Sequence, residues 1–513
     1  MNAPLHATGS LPNTSELQSQ STFDLLESLS NHGAQLTGVA ASHSNHNSQL
    51  HSFSEASSEA DFQQLRSASS HALNWHTVDD LSSSYLFNDY VQPFSERWHP
   101  PSSTNLKASG GHASDSLAPV GVNVKPNAAT SGMTTRQQSW LKNIQDRGLR
   151  TTVRSELSDG LIDRQDMLTL FDNAEDNGGI SKAEFKDLKK VVNSATKLNM
   201  PDYVQNLADK VVNGDFANRN YQGADLGNLA VGSSAAHLEQ LVDKWFLGGD
   251  RPLAQSYWDG TTFTYQLAKK PLFENGISYA DIKQGGTGDC YFLAALASTA
   301  LQDADTISNM FIDNGDSTYT VRFYNRDGDA DYVTVDSYLP VDQWGRRAYA
   351  DYSNELWVAL AEKAYAQLNE SGWIGHSKQD KQGRDIRPDD DDTNSYLGIS
   401  GGYTDEATEQ ITGQSMTYNW IDSRSFQAIA TAFSAGSFVS FSSSSFTDSY
   451  IVANHAYALV DYDAIAQTFT LYNPWGFDGE GIDYDANPND GELELSWQEL
   501  YNNFDVWNMN AIA

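Results

Sequence analysis

The chain falls into three textures. Up to residue 135, apolar positions are scattered without a sustained period among Ser, His, Asn and Ala, as in SLSNHGAQLTGVAASHSNHNSQLHS. Such a stretch cannot bury enough apolar surface to offset its ordering entropy, so it reads as a disordered arm. FDLLESLS and DFQQLRSA are short amphipathic pieces within it, long enough for transient helices. From 136 to 250 the apolar residues recur at three- and four-residue spacing. RQQSWLKNIQDRGL, RQDMLTLFDNAE, KAEFKDLKKVVNSATKL, MPDYVQNLADKVVNG and SAAHLEQLVDKWFLGG each predict a helix, and together a small all-α domain. Gly248 and Gly249 are placed to end it. From 251 to 513 the period alternates. CYFLAALASTAL and NELWVALAEKAYAQLNES read as helices; STYTVRFYN, DADYVTVDSYLP, FVSFS, HAYALVDYD, TFTLYNP and ELELSWQEL read as strands. No βαβ alternation is visible, which predicts an α+β domain. The acidic run Asp389–Asp392 is expected in a solvated loop.

Length and charge narrow the function. A chain of 513 residues has room for two or three domains. Its 67 acidic against 32 basic residues give a net charge of -35. Nucleic-acid binding needs Lys and Arg to displace phosphate counterions, so that class is excluded. The acidic balance suits solubility, salt tolerance or divalent cations. The longest apolar run, Tyr291 to Leu301, is too short to span a bilayer. MNAPLHATGS lacks a charged n-region and an apolar h-region, so no signal peptide is expected. These features predict a soluble protein, cytoplasmic or exported by a non-classical route.

The single cysteine, Cys290, cannot form an intramolecular disulfide. It opens an apolar helical pattern and follows glycines at 285, 286 and 288. Unpaired N–H groups at a helix start favour a thiolate, and the glycines are read as letting the backbone turn and leaving the sulfur open. A thiolate nucleophile needs a base. Nine of the twelve histidines lie in the arm; His237, His376 and His455 remain. His237 reads as a helix-surface residue and His376 sits in a Gly/Ser/Lys-rich loop. His455 lies in a strand-like run that can fix an imidazole. Asn473, at a strand end in NPWG, can accept from the ring and set its tautomer, with Trp475 covering the pair. Gln284 can donate to a developing oxyanion beside the Cys290 backbone N–H.

QGGTGDCYFLAALA, SNELWVALAEKAYAQLN, SGGYTDEATEQITG, HAYALVDY, NPWG and DGELELSWQEL occur in this order. This series resembles the protease core of the calpain family of cysteine proteases over about 250–513. The resemblance implies a papain-like core of two subdomains with a cleft between them. It implies Cys290 as nucleophile, His455 as base and acid, Asn473 as orienter and Gln284 in the oxyanion hole. Trp475, Asn454, Gly401 and Gly402 would line the substrate cleft, and the substrate would be a protein or peptide, with self-cleavage included. The sequence departs from the family at Tyr291, where Trp is usual, and at Asn454, where Gly is usual. The family's C-terminal regulatory domains are expected to be missing.

The resemblance also implies calcium and no organic cofactor. One site would draw on Glu274, Gly276, Asp281 and Glu355, a second on Asp490 and Glu492; hard oxygen ligands suit the ion. Asp478, Glu480, Asp483 and Asp485 lie in the loop before Asp490 but do not align. In the helical region, NAEDNGGISKAE (Asn173 to Glu184) has the outline of an EF-hand loop, with Gly178, Ile180 and Glu184 in position. Asn173 and Glu175 replace the preferred aspartates, so a structural turn is expected there. Two rival functions are a transglutaminase-like acyl transferase and a catalytically silent binding module. The first generally uses Asp as its third member, and the second has no use for an intact Cys, His and Asn.

Overall fold

A computed structural model describes residues 132–175, 178–256, 259–374, 392–479 and 490–510. Residues 1–131 of the expected arm, His376, Asp389 to Asp391, Glu480, Asp483 and Asp485 lie outside them, while Thr134 and Thr135, expected in the arm, begin the first helix. The described residues open with helices α1 (Thr135–Leu141), α2 (Arg147–Glu156), α3 (Arg164–Ala174), α4 (Lys182–Val192), α5 (Asp202–Val212) and α6 (Ala235–Val242). The expected single helix through RQQSWLKNIQDRGL is two. Asp146 accepts from Leu149 N–H and starts a new helix where the first has ended. A π-helical turn, Asp243–Leu247, extends α6 until Gly248 closes it at φ 69°. Strands β1 (Asn220–Tyr221) and β2 (Ala224–Asp225) form a small antiparallel ladder between α5 and α6.

Strands β3 (Thr264–Leu267), β4 (Phe311–Asp313), β5 (Thr318–Tyr324), β6 (Ala330–Asp336) and β7 (Tyr338–Val341) surround α7 (Cys290–Gln302), α8 (Ala304–Ser308) and α9 (Trp357–Leu368). The strands make two antiparallel sheets, β4-β5-β6 and β3-β7. Residues Tyr291 to Ala300 of α7 are all buried, as its unbroken apolar run requires. After α10 (Thr404–Thr412) come β8 (Met416–Trp420), α11 (Ser425–Ser434), β9 (Val439–Ser443), β10 (Ala456–Asp463), β11 (Thr468–Tyr472), β12 (Glu492–Ser496), α12 (Trp497–Asn503) and β13 (Phe504–Asn510). Here a six-stranded sheet runs in the order β12-β11-β10-β9-β13-β8. The fold is therefore mixed helix and sheet. ELELSWQEL, expected as strand, turns into a helix at Ser496. Its hydroxyl accepts from Glu499 N–H while the Glu499 carboxylate accepts from Ser496 N–H, a capping box.

Two apolar clusters meet along β10. Ala456, Ala458 and Val460 face the cluster that holds α7 and α9; Tyr457 and Leu459 face a second cluster with Phe469, Leu471, Phe441 and Phe504. Successive side chains of a strand point to opposite faces, so this one strand is shared by both halves. The first cluster also runs without a break into the helices before residue 250, from Trp140 to Phe246. Ion pairs cross the same junction: Arg164 with Asp316 at 2.9 Å, and buried Lys244 with Glu370 at 2.8 Å. Asp392, expected in a solvated loop, is buried, and its carbonyl accepts from Arg219.

Candidate active site

Cys290 stands half-buried at the first position of α7. The glycines before it have a different cause from the one the sequence suggested. Gly285, Gly286 and Gly288 have no positive φ. A Cβ on Gly285 would lie 2.3 Å from the Tyr349 backbone, on Gly286 2.7 Å from the Ala348 oxygen, and on Gly288 2.6 Å from Ser400 Oγ. Close approach of backbone selects them, not turning freedom. The loop is held to its neighbours by Gly286 N–H to Ala348 O at 2.8 Å and Gly401 N–H to Gly288 O at 2.8 Å.

The other side of the site hangs from β10 and β11. His455 is 6% exposed, just before β10, and its Nε2 lies 2.8 Å from Asn473 Oδ1. Asn473 is fully buried. Its Oδ1 also accepts from Trp475 N–H at 3.0 Å, and its Nδ2 donates to the Asp478 carbonyl at 3.1 Å. These partners fix the amide with oxygen toward the ring, so Nε2 carries the proton and Nδ1 keeps its lone pair. The Trp475 ring covers the imidazole at 5.0 Å, and the Tyr457 ring meets it edge-on at 5.1 Å.

The two sides meet at one residue. The Ala456 backbone N–H, next to His455, is directed at the Cys290 sulfur. Gln284 N–H donates to Pro474 O at 2.8 Å, and Tyr472 Oη donates to Ile282 O at 2.7 Å. The segment before Cys290 is thus tied to the segment around Asn473.

Burial governs the charge state. It pushes the Cys290 thiol up to about 11; the Ala456 N–H opposes this and the Asp289 carboxylate adds to it. This desolvation works against the partial positive charge of the helix start, which favours the thiolate. Burial takes His455 down to about 4, with the Asn473 hydrogen bond opposing. Burial thus favours the neutral form of each group.

Gln284 is close to Cys290 but turned into its own loop. Its Nε2 donates to Thr287 O at 2.8 Å and to Asp289 Oδ1 at 3.2 Å, which uses both amide hydrogens. Asn454 adopts φ 52°, which accounts for Asn at a position where the family has Gly: both residues tolerate left-handed backbone. Gly401 has φ 84° and open space around it. Gly402 could not carry a Cβ, which would sit 2.4 Å from the Tyr291 ring; Tyr291 in turn donates to Ile399 O at 3.1 Å. His237 is held on α6 by its Nε2 contact with Gly227 O, far in the sequence from this chemistry.

The acids named for calcium gather in part. Asp281 and Glu355 face one another, and Glu355 Oε2 also accepts from Glu274 N–H at 2.7 Å. Burial raises the Glu355 carboxyl to about 7, and the Asp281 charge adds to the rise. Two facing carboxyls supply the hard oxygens a divalent ion takes. Gly276 sits in the segment between Glu274 and Asp281 at φ 98°, and the Glu274 side chain is exposed. Glu492 accepts from Tyr279 Oη at 2.7 Å, and Asp490 Oδ1 accepts from Glu492 N–H. Among the described residues no three His, Cys, Asp or Glu side chains come together as an ion site. In the EF-hand-like loop, Ile180 pairs with Ser233 and Gly232, and Glu184 closes a capping box with Ser181.

Residues 250–378 match the model of the calpain family cysteine proteases. The chain carries a calpain-family cysteine protease domain. The matched span includes Gln284, Cys290 and Glu355 and stops before His455 and Asn473. The calpain-type cysteine protease DEK1 of Zea mays is 28% identical over 276 residues, covering 45% of this chain and 11% of that protein. The calpain-1 catalytic subunit of Homo sapiens is 29% identical over 239 residues, 41% of this chain and 29% of that protein. The chain thus spans under a third of the length of either relative. Xylellain, a cysteine protease from Xylella fastidiosa, aligns with 51% of this chain and 98% of its own at 16% identity, with a TM-score of 0.20. No described helix is long and apolar enough to cross a membrane.

Proposed function

We propose that this chain is a calpain-like cysteine endopeptidase with a papain-like cleft between the half that carries Cys290 and the half that carries His455. The observation that supports it most is the bond from His455 Nε2 to Asn473 Oδ1 beneath the Trp475 ring, with the next residue, Ala456, beside Cys290. The bond leaves Nδ1 as the basic nitrogen. Nδ1 takes the thiol proton as the sulfur attacks the scissile carbonyl. The imidazolium then protonates the leaving amine, and water releases the acyl group from sulfur. Burial favours the neutral thiol and the neutral imidazole, and proton transfer then accompanies attack on the substrate. Asn473 keeps the ring in the working tautomer. Gln284 serves the oxyanion after its amide leaves Thr287 O.

Protein or peptide is the proposed substrate, and the chain itself is one candidate. Calcium is the proposed regulator: bound between Asp281 and Glu355, it would supply the positive charge that two facing carboxyls lack. The helices before residue 250 are proposed as an accessory region and the arm as an appendage. One gel tests the reading. Purified wild type and Cys290→Ser are incubated with an unfolded protein, with calcium and with chelator. Cleavage by wild type alone is expected, stronger with calcium. Wild-type turnover in the serine variant would overturn the assignment.

A further inference from the structure

Directly behind Cys290 lies a pair of buried acids that the reaction does not use. Asp289 occupies the position before α7, where an aspartate ordinarily caps the helix, yet its side chain accepts no cap bond. It is fully buried and points inward at Glu362 of α9, which is 1% exposed. Asp289 Oδ1 accepts from Gln284 Nε2, but Oδ2 is buried and no protein donor reaches it. Glu362 accepts from Ala350 N–H through both oxygens, at 3.3 and 3.1 Å. Two ionised carboxylates at such a distance, out of water, would repel with nothing to offset them. A proton between them removes the repulsion and gives Asp289 Oδ2 the donor it lacks.

No cation serves instead. Lys363, next along α9, turns its ammonium to Asp336 and to Tyr338 O. The other titratable groups whose charges reach the pair are Cys290, Tyr291, Tyr349, Tyr365 and Tyr396. All of them are pushed up by burial and stay neutral at pH 7.

We propose that Asp289 and Glu362 share one proton and act as a positioning pair that holds the Gln284 amide against the base of the Cys290 helix. The geometry gives the pair two effects. Its retained negative charge fixes Gln284 Nε2 and keeps the loop closed under the sulfur. The same charge faces Cys290 and holds it as a thiol until a base takes the proton. Burial raises both carboxyls, Glu362 further through the charge of Asp289, in agreement with the proton residing on the Glu362 side. The catalytic meaning of the pair rests on the peptidase reading; its existence does not.

The test therefore uses readouts other than proteolysis. Cys290 is the only thiol, so alkylation of the full chain by iodoacetamide reports on it alone. The double variant Asp289→Asn/Glu362→Gln keeps the shape and removes the charge, since neither position then holds a carboxyl. Its alkylation profile should move about one pH unit lower, roughly a tenfold faster reaction at fixed neutral pH. Glu362→Gln donates permanently to Asp289 and leaves the charge in place, so its profile should move little, and upward if at all. A wild-type-minus-Glu362→Gln infrared difference spectrum at pH 7 should carry the band of a protonated carboxyl. An unshifted double-variant profile, a Glu362→Gln profile that falls like it, or a missing carboxyl band would each overturn the proposal. Should Glu362→Gln alone fail to fold, the carboxyl band is sought in wild type minus Asp289→Asn/Glu362→Gln, and its absence there is equally decisive.

Discussion

The two halves that meet at Cys290 and His455 hold their reactive groups by opposite means. On the cysteine side, position comes from contact. Three glycines let the loop lie against Tyr349, Ala348 and Ser400, and a fully buried helix carries the sulfur. On the histidine side, position comes from a hydrogen-bond chain that runs from His455 through Asn473 to Trp475 and Asp478. Contact tolerates no added volume, whereas a hydrogen-bond chain tolerates volume but no lost partner. The polar settings differ as well: an acid pair lies under the thiol, and neutral amide and aromatic groups surround the imidazole.

That contrast is broken most severely at Gly285. Gly285→Ala should lower peptidase turnover by about 100-fold, because a displaced loop moves the nucleophile out of line. It should also destabilise the fold by about 3 kcal/mol, the upper end for overpacking, since the neighbour is backbone and cannot turn aside. The measurements are turnover and urea denaturation. At Gly401, which is bonded to the same loop, the same addition should matter little. Gly401→Ala meets only open space, and its φ of 84° should cost about 1 kcal/mol.

A pH experiment sharpens the electrostatic half of the comparison. Burial lowers His455 from 6.5 to about 4. Between those values the unfolded chain binds more protons at this site than the folded one, so stability falls as pH falls from 6.5 toward 4. His455→Gln should lack this loss. The wild-type-minus-variant difference in unfolding free energy should decline by up to about 3 kcal/mol over that window. The acids on the cysteine side run the other way: with Glu355 raised to about 7, its contribution is lost as pH rises from 4.5 through 7. The smallest effect is expected at Asn454. Asn454→Gly should change activity and stability very little, while Asn454→Val, a β-branched residue at φ 52°, should cost about 1–2 kcal/mol.

What was legible in the sequence follows the same division. Strands β5, β6, β9, β10 and β11 and helices α7 and α9 stand out because each carries a clean two-residue alternation or a long apolar run. Strands β8 and β13 were missed: MTYNW and FDVWNMN mix amides with aromatics, β8 is an edge strand with no buried residue, and the burial of β13 comes from its neighbours in the sheet. The break between α1 and α2, and the turn from strand to helix at Ser496, were written in capping residues that an apolar pattern ignores. Cys290, His455, Asn473 and Trp475 were each visible in a local motif; the structure joins His455 to Asn473 and Trp475 and sets the neighbouring Ala456 beside Cys290. The glycines were noticed for a reason that does not hold, since a close approach by Tyr349 leaves no mark in residues 284–290. The Asp289–Glu362 pair left none either, because its meaning depends on two helices packing and on what fails to reach Asp289 Oδ2.

The central claim is that the two sides act as one site, with Cys290 attacking only as His455 takes its proton. It is tested most directly with a peptidyl fluoromethyl ketone, which alkylates a cysteine only through substrate-like attack. Intact-mass analysis should find one adduct per chain, on Cys290. The rate of adduct formation should fall by orders of magnitude in His455→Ala and by about 10- to 1000-fold in Asn473→Ala. An adduct elsewhere, or one formed at the wild-type rate without His455, would contradict the account.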